Sequence, residues 1–499
     1  MNRNLAPVSF IIICFFYSCT VNKNYNGFKK YPREVLEKDY TLLRTILEEK
    51  HPSLYWYTSK DSMDIYFSKY YNAINDSMTE QQFAWHVLAP LVDKIHCGHT
   101  SVGMSKGWTK WAQGRRFPSF PLFMKIWNDT MSVIANLDHK DSIFKRGTLV
   151  TSVNGISTDA LIKRMFDYLP EDGHANNINY IRMSANFPYY HRNIFGLSKK
   201  YTVGSVDSNG VARIDTLPVY IAPKDSIIKD SLTRIERKNM PKEKRIAEHR
   251  SLKIDTSGKF AVITLNTFSN GRLRSFFRRS FKKMRKEHIS SLVLDIRSNG
   301  GGRVGLSTLL AKYISRQPFK VADTIFSKAR TLGPYSKYIQ GRYLNNIQMF
   351  FISGKRNDGL FHMRHMEEKL LKPKIRNHYN GEVYVLINGP TFSAASLFCN
   401  VIKGQPGITL IGEETGGGWY GNNGIMIPDI ILPHTKTRVR LPLYRLVQYK
   451  HINVKGSGIV PDIYVPTNYD ALLKSYDKKM KVAKELILHK SAIADTGGK

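Results

Sequence analysis

Four cysteines in 499 residues are too few for a disulfide-stapled scaffold. Cys14 lies in an N-terminal apolar run and Cys19 just after it, so only Cys97 and Cys399 remain for the body of the chain. Two separated cysteines build no thiolate metal site, and no zinc-ligand spacing supplements them. Acidic side chains are also scarce: 40 Asp and Glu stand against 75 Lys and Arg, a formal charge of +35. Such a surplus suits nucleic acid, anionic lipid or anionic polysaccharide. The cations are spread along the chain, denser only at 234–250 and 272–286, with no RNA-recognition motif or basic-aromatic platform, which argues against nucleic acid. A phosphate loop is excluded as well, because no Gly-Lys-Ser/Thr follows the glycines at 300–302. The apolar run at 5–17 is too short to span a bilayer comfortably.

What is present is the composition of a folded protein of two to four domains, 42% hydrophobic and 12% aromatic. At the N-terminus, Arg3, the apolar run and Ser18-Cys19 resemble a bacterial lipoprotein signal and its lipobox, with Phe16 where leucine is commonest. That resemblance implies a signal peptide at 1–18, lipidation of Cys19, a tether at 19–31, and a lipid-anchored protein of the bacterial envelope, in the periplasm or at the outer membrane. An ordinary signal peptide cut nearby is the simpler alternative; both export the chain.

Residues 32–115 carry apolar positions at three- and four-residue spacing and read as a helical region ending in Cys-Gly-His-Thr-Ser-Val, which contains His99. Residues 116–222 change to hairpin patterns, with turns at Asn128-Asp129, Asn154-Gly155 and Asn209-Gly210. Their order resembles a PDZ domain, although the stretch 172–198 has no counterpart there. Residues 223–254 read as a charged linker. Residues 255–470 alternate strand and helix patterns and read as an α/β core, with 318–380 as an insertion expected to roof the site. A helix and tail at 471–499 close the chain.

Two stretches of the core carry chemistry. Strong β-formers at 383–387 run through Asn388-Gly389-Pro390 into a helix of small residues, which places Ser393 at a strand-to-helix junction. There a hydroxyl is exposed beside free helix N–H groups that can hold a developing negative charge, although a serine at a helix start is more often a cap. In the second stretch a strand ends in Asp295-Ile296-Arg297, then Ser298-Asn299 and Gly300–Gly302. Its glycines let main chain approach a ligand, Asp295 and Arg297 read as a pair that fixes the loop, and Gly302 completes that structural loop.

The motifs around His99, Asp295 and Ser393, with Gly-Glu-Glu-Thr-Gly-Gly-Gly at 412–418 and Ser-Gly-Ile-Val-Pro-Asp-Ile at 457–463, follow one another in the order of a known family. The chain resembles the carboxyl-terminal processing (tail-specific) serine peptidases, which include the tricorn core, from His99 to about Val465. The resemblance implies an α/β fold with a crotonase-like (ClpP/crotonase) catalytic core, an inserted PDZ-like β domain, and hydrolysis of peptide bonds through an acyl-enzyme. Ser393 falls at the nucleophile. Oxyanion donors would be the main-chain N–H of Ala394 and of a glycine in the loop, Gly300 or Gly301. No metal or organic cofactor is implied, and the partner is a peptide or protein substrate.

The sequence departs from the best-known branch at the base. The lysine expected twenty-five residues after the nucleophile is Gly418 here. The tricorn-like branch uses a histidine, matched by His99, and an imidazole titrating at about 6.5 suits that work. Two supporting positions of that branch, a serine and a glutamate, are Gly98 and Lys455 here. Thr100, Glu413 and Glu414 are the candidates to orient His99, and Lys455 and Lys403 are alternative bases. Two rival readings stay open: a degenerate member that binds peptides or wall components without cutting, and an esterase or other acyl hydrolase on the same core.

Overall fold

A computed structural model describes residues 25–223, 235–255, 260–449 and 456–496, with Ser226 and Thr233. The signal, Cys19 and Lys455 lie outside the described residues.

The core is a six-stranded sheet in the order Arg250–Ile254, Phe260–Leu265, Ser291–Asp295, Glu382–Ile387, Ile408–Gly412, Ile463–Tyr464. Every neighbouring pair is parallel except the first. The central strands are nearly continuous apolar runs because both faces are covered. On one face the helices Leu273–Lys286, Val304–Ile314 and Ala394–Ile402 pack into the main core. On the other, Val293, Tyr384, Leu386 and Ile411 meet Ala483 and Ile487 of the C-terminal helix Lys478–Thr496. The basic helix Leu273–Lys286 turns Leu273, Phe276, Phe277, Phe281 and Met284 inward, as its spacing requires, and leaves its cations in water. The α/β core with an additional β domain is thus the architecture expected from the sequence.

The linker assignment needs one correction. Arg250–Ile254 is the antiparallel edge strand of the core sheet, in register from Arg250 opposite Leu265 to Ile254 opposite Ala261. Its alternation of charged and apolar residues is that of a half-covered edge rather than of a tether.

The N-terminal region is helical at Arg33–Lys50 and Lys60–Asn72 and continues through 80–93. It shares one hydrophobic cluster with the catalytic core, so it is a wall of that core and not an appendage. The β domain holds the sheet Leu122–Trp127, Thr130–Asn136, Leu149–Val153, Lys200–Val206, Ala212–Pro218 around its own cluster. Its three turns fall where the Asn-containing dipeptides place them, with Asn128, Asn154, Gly155 and Gly210 all at positive φ. The stretch without a PDZ counterpart forms two helices, Asn177–Ala185 and Phe187–Phe195. Residues 318–380 contribute Ala322–Ser327 and two short strands to a five-stranded sheet shared with Tyr444–Gln448 and Gly421–Ile425.

Candidate active site

Ser393 stands at the junction between the strand Glu382–Ile387 and the helix Ala394–Ile402, at φ 54° and ψ −123°. A non-glycine residue there is strained, and strain of this kind persists only where surrounding contacts fix it. The fixing contacts are visible on both sides. Phe392 N–H donates to the Asn299 carbonyl (3.1 Å), and Thr391 Oγ1 donates to the Ile296 carbonyl (3.1 Å). The serine hydroxyl makes no capping bond to its helix, so it is not spent on structure.

Gly301 explains why the neighbouring loop needs glycine. At φ +97° it passes so close to the junction that a Cβ on it would lie 2.7 Å from Ser393 Cβ and 2.9 Å from Ala394 N. Its own N–H is donated to Asn299 Oδ1 (3.0 Å), so of the two glycines expected as oxyanion donors only Gly300 keeps its amide clear of that bond. Behind the loop, Arg297 grips Asp295 and Asp477 with paired hydrogen bonds of 2.7–2.9 Å. The second of these pins the glycine loop to the start of the C-terminal helix.

His99 comes to Ser393 from the N-terminal region. The turn before it is closed by Thr100 N–H on the Cys97 carbonyl (2.9 Å), and the strand Val102–Gly103 after it pairs with Arg438–Arg440. The buried imidazole lies against the Phe392 ring, centroids 4.6 Å apart and 31° between planes. Gly424, in the strand Gly421–Ile425, shows how close the pair is. An alanine methyl there would sit 2.9 Å from Ser393 Oγ and 3.1 Å from His99 Nε2. Both reactive atoms therefore flank one point, which brings a hydroxyl and an imidazole to one place, although neither His99 ring nitrogen makes a hydrogen bond among the described residues.

Residues 259–465 match the family model described as Peptidase family S41. The chain carries an S41 peptidase domain. That domain makes it a serine peptidase. Mature CPAF complexed with lactacystin shares the fold at a TM-score of 0.61 and 14% identity, covering 92% of this chain and 99% of that one. The photosystem II D1 C-terminal processing protease aligns at 0.40 and 11% (86% and 93% covered), and the tricorn protease at 0.39 and 15% (92% and 37%). Among curated proteins, none matches by sequence.

The three side chains expected to orient His99 are engaged elsewhere. Thr100 Oγ1 is bonded to His51 Nε2 (2.9 Å), Glu413 is paired with Lys479, and Glu414 accepts the Gly458 N–H. The carboxylate that faces His99 is Asp172, with Oδ1 3.8 Å from Nδ1 and both groups buried. Asp172 is held by the Gly98 N–H (2.9 Å) and the Gly418 N–H (3.4 Å). Gly418 is thus the position where the better-known branch has its lysine, and here its amide supports a carboxylate. Gly98, where the tricorn-like branch has serine, packs on Phe392: a Cβ would lie 2.8 Å from that ring.

Asp172 escaped the sequence reading because it sits in the stretch 171–177, which has no recognisable motif. In the fold that stretch is wedged between both halves of the site. Gly173 N–H donates to the His96 carbonyl (2.9 Å), and Asn177 Nδ2 donates to the Glu414 carbonyl (2.8 Å). A second unforeseen group is Asn422. It is buried, its Oδ1 accepts the Gly424 N–H (2.9 Å), and its Nδ2 meets no acceptor among the described residues.

Lys403 is not near the pair: it lies past the far end of the Ser393 helix, bonded to Asp462 at 2.6 Å. The two cysteines are buried packing residues whose thiols are pushed up by desolvation, and Cys97 also accepts from Asn423 Nδ2 (3.0 Å). Behind the site His51 is fully buried and its pKa is pushed down to about 3 by desolvation, then by Lys328 and Arg445. It accepts the Ser53 N–H on Nδ1 and so donates from Nε2 to Thr100. No group of three or more His, Cys, Asp or Glu is placed to hold a metal among the described residues.

Proposed function

We propose that the chain is an exported serine endopeptidase that cleaves envelope proteins or peptides through an acyl-enzyme on Ser393. The observation that carries the reading is the convergence of Ser393 Oγ and His99 Nε2 beside Gly424 at the head of a helix. His99 Nε2 takes the hydroxyl proton as Oγ attacks the scissile carbonyl carbon. The carbonyl π pair moves onto oxygen, where the N–H groups of Ala394 and Gly300 hold it. Collapse expels the amine, protonated by His99, and leaves an ester on Ser393. Water then enters with His99 again as base, and the serine is restored. Asp172 favours the tautomer with hydrogen on Nδ1 and offsets the charge of the imidazolium, once substrate closure shortens the 3.8 Å gap.

A peptide substrate fits the surroundings. Val102–Gly103 is the end strand of its sheet, so its outer edge is open to pairing with an extended chain. A cleft of about 370 Å³ lies alongside, lined by Gly98, Ser101, Val102, Tyr168, Arg182 and Arg440, with room for side chains. The Cys19 reading supports attachment to the membrane through lipid. Its test is the mass of the N-terminal peptide, which should begin at an acylated Cys19.

One observation favours a rival. The Asp172–His99 separation is longer than a hydrogen bond, as expected of a chain that binds peptides without cutting them. A panel of unfolded protein substrates, short peptides and activated esters separates the readings. Peptide cleavage lost in Ser393→Ala supports the peptidase. Ester hydrolysis alone points to another acyl hydrolase, and peptide binding without turnover points to the degenerate member.

A further inference from the structure

The helix Arg342–Ile352 is amphipathic in the inverted sense. At about 100° per residue, Phe350, Tyr343, Ile347, Phe351 and Leu344 fall in one stripe of roughly 120°. That stripe faces outward, with exposures of 43–79%. Toward the protein the helix turns polar residues instead: Asn346 accepts the Leu332 N–H (2.8 Å) and donates to Ser336 Oγ (3.1 Å), and Asn345 donates to the Gln340 carbonyl. Met349 is the only fully buried side chain of the eleven. A helix solvated by water carries the opposite arrangement, so this apolar stripe calls for a partner.

The charge around it says which. From Thr324 to Asn357 there is no Asp or Glu, while Lys328, Arg330, Lys337, Arg342, Lys355 and Arg356 are all cationic. Lys328 donates to the Glu48 main-chain carbonyl and Arg356 is paired with Glu367. The other four are exposed and form no ion pair among the described residues. Arg330 lies 3.8 Å over the Phe350 ring and Arg342 4.7 Å from that of Tyr343, so cations border the stripe itself. A second copy docked here would set the like charges of this segment together. An anionic bilayer satisfies both features at once, taking the side chains below its headgroups and pairing the cations with phosphate. We infer that Arg342–Ile352 lies flat in the surface of an anionic membrane, a contact that does not depend on acylation of Cys19 or on catalysis.

Because the N-terminus itself is expected to bind membranes, the test needs a reporter on this helix. Phe351→Trp in the full chain is mixed with vesicles of phosphatidylcholine and phosphatidylglycerol carrying brominated acyl chains, with wild type as the blank. The emission of the introduced indole should shift to the blue and be quenched. Adding Lys337→Glu and Arg342→Glu should weaken the apparent affinity about thirtyfold, with melting temperature unchanged. Water-like, unquenched emission from vesicle-bound protein would overturn the proposal, as would equal quenching in phosphatidylcholine alone. A dimer in sedimentation velocity that Ile347→Ser with Phe351→Ser converts to monomer would overturn it too, assigning the stripe to a second copy.

Discussion

Replacing Gly424 with alanine tests whether Ser393 and His99 work as a pair. The added methyl would lie 2.9 Å from Ser393 Oγ and 3.1 Å from His99 Nε2, inside normal contact distance for both. Neither atom can accept it in place: the serine is fixed by its strained junction, and the imidazole lies against the tilted Phe392 ring. Relief requires the two to separate by several tenths of an ångström. A well-placed general base contributes about 10²–10⁴-fold, and misplacement by about 1 Å removes ~10²-fold. Turnover should therefore fall by about 10²–10⁴, or ~2.7–5.4 kcal/mol of transition-state stabilisation. Gly424 is not at positive φ, so alanine suits its backbone and the overpacking should remove only about 1–3 kcal/mol of stability. The assay is the second-order rate of labelling by a fluorophosphonate, with thermal melts of both proteins. A labelling rate within threefold of wild type, in a folded variant, would refute the proposed arrangement.

Other outcomes follow from the same structure. Asp172→Asn should lower kcat by ~10²–10⁴-fold with little change in KM or melting, and Asp172→Glu should recover part of it, measured on any cleaved peptide. Ser393→Gly should be more stable than Ser393→Ala by about 1 kcal/mol, read by chemical denaturation, because only glycine accepts φ 54°, ψ −123° without strain. His51 gives an acid dependence. Its folded pKa of about 3 lies below the ordinary 6.5, so its contribution is whole above pH 6.5 and lost as pH falls toward 3. The slope is ~1.4 kcal/mol per pH unit, and His51→Gln should flatten that part of the stability profile.

The core was legible because buried parallel strands are continuous apolar runs and the helices between them keep one apolar stripe. Val383–Ile387 and Leu292–Leu294 could hardly be read otherwise. Turns written with Asn-Gly or Asn-Asp placed the hairpins of the β domain. Arg250–Ile254 was missed because a short edge strand with alternating charge looks like a linker. The helix Arg342–Ile352 was unreadable for a related reason: its stripe is regular, but it faces away from the protein that the pattern normally implies. At the site, the junction and the glycine loop announce Ser393 through local backbone chemistry. Asp172 announces nothing, since its position is set by amides of Gly98 and Gly418, remote in sequence.

The most direct test of the central claim is fluorophosphonate labelling of the wild-type chain beside Ser393→Ala and His99→Ala, with the modified peptide sequenced. Covalent label on Ser393 of the wild type, lost in both folded variants, is the predicted result. Label that persists in His99→Ala, or that lands on another residue, would contradict the pairing of Ser393 with His99.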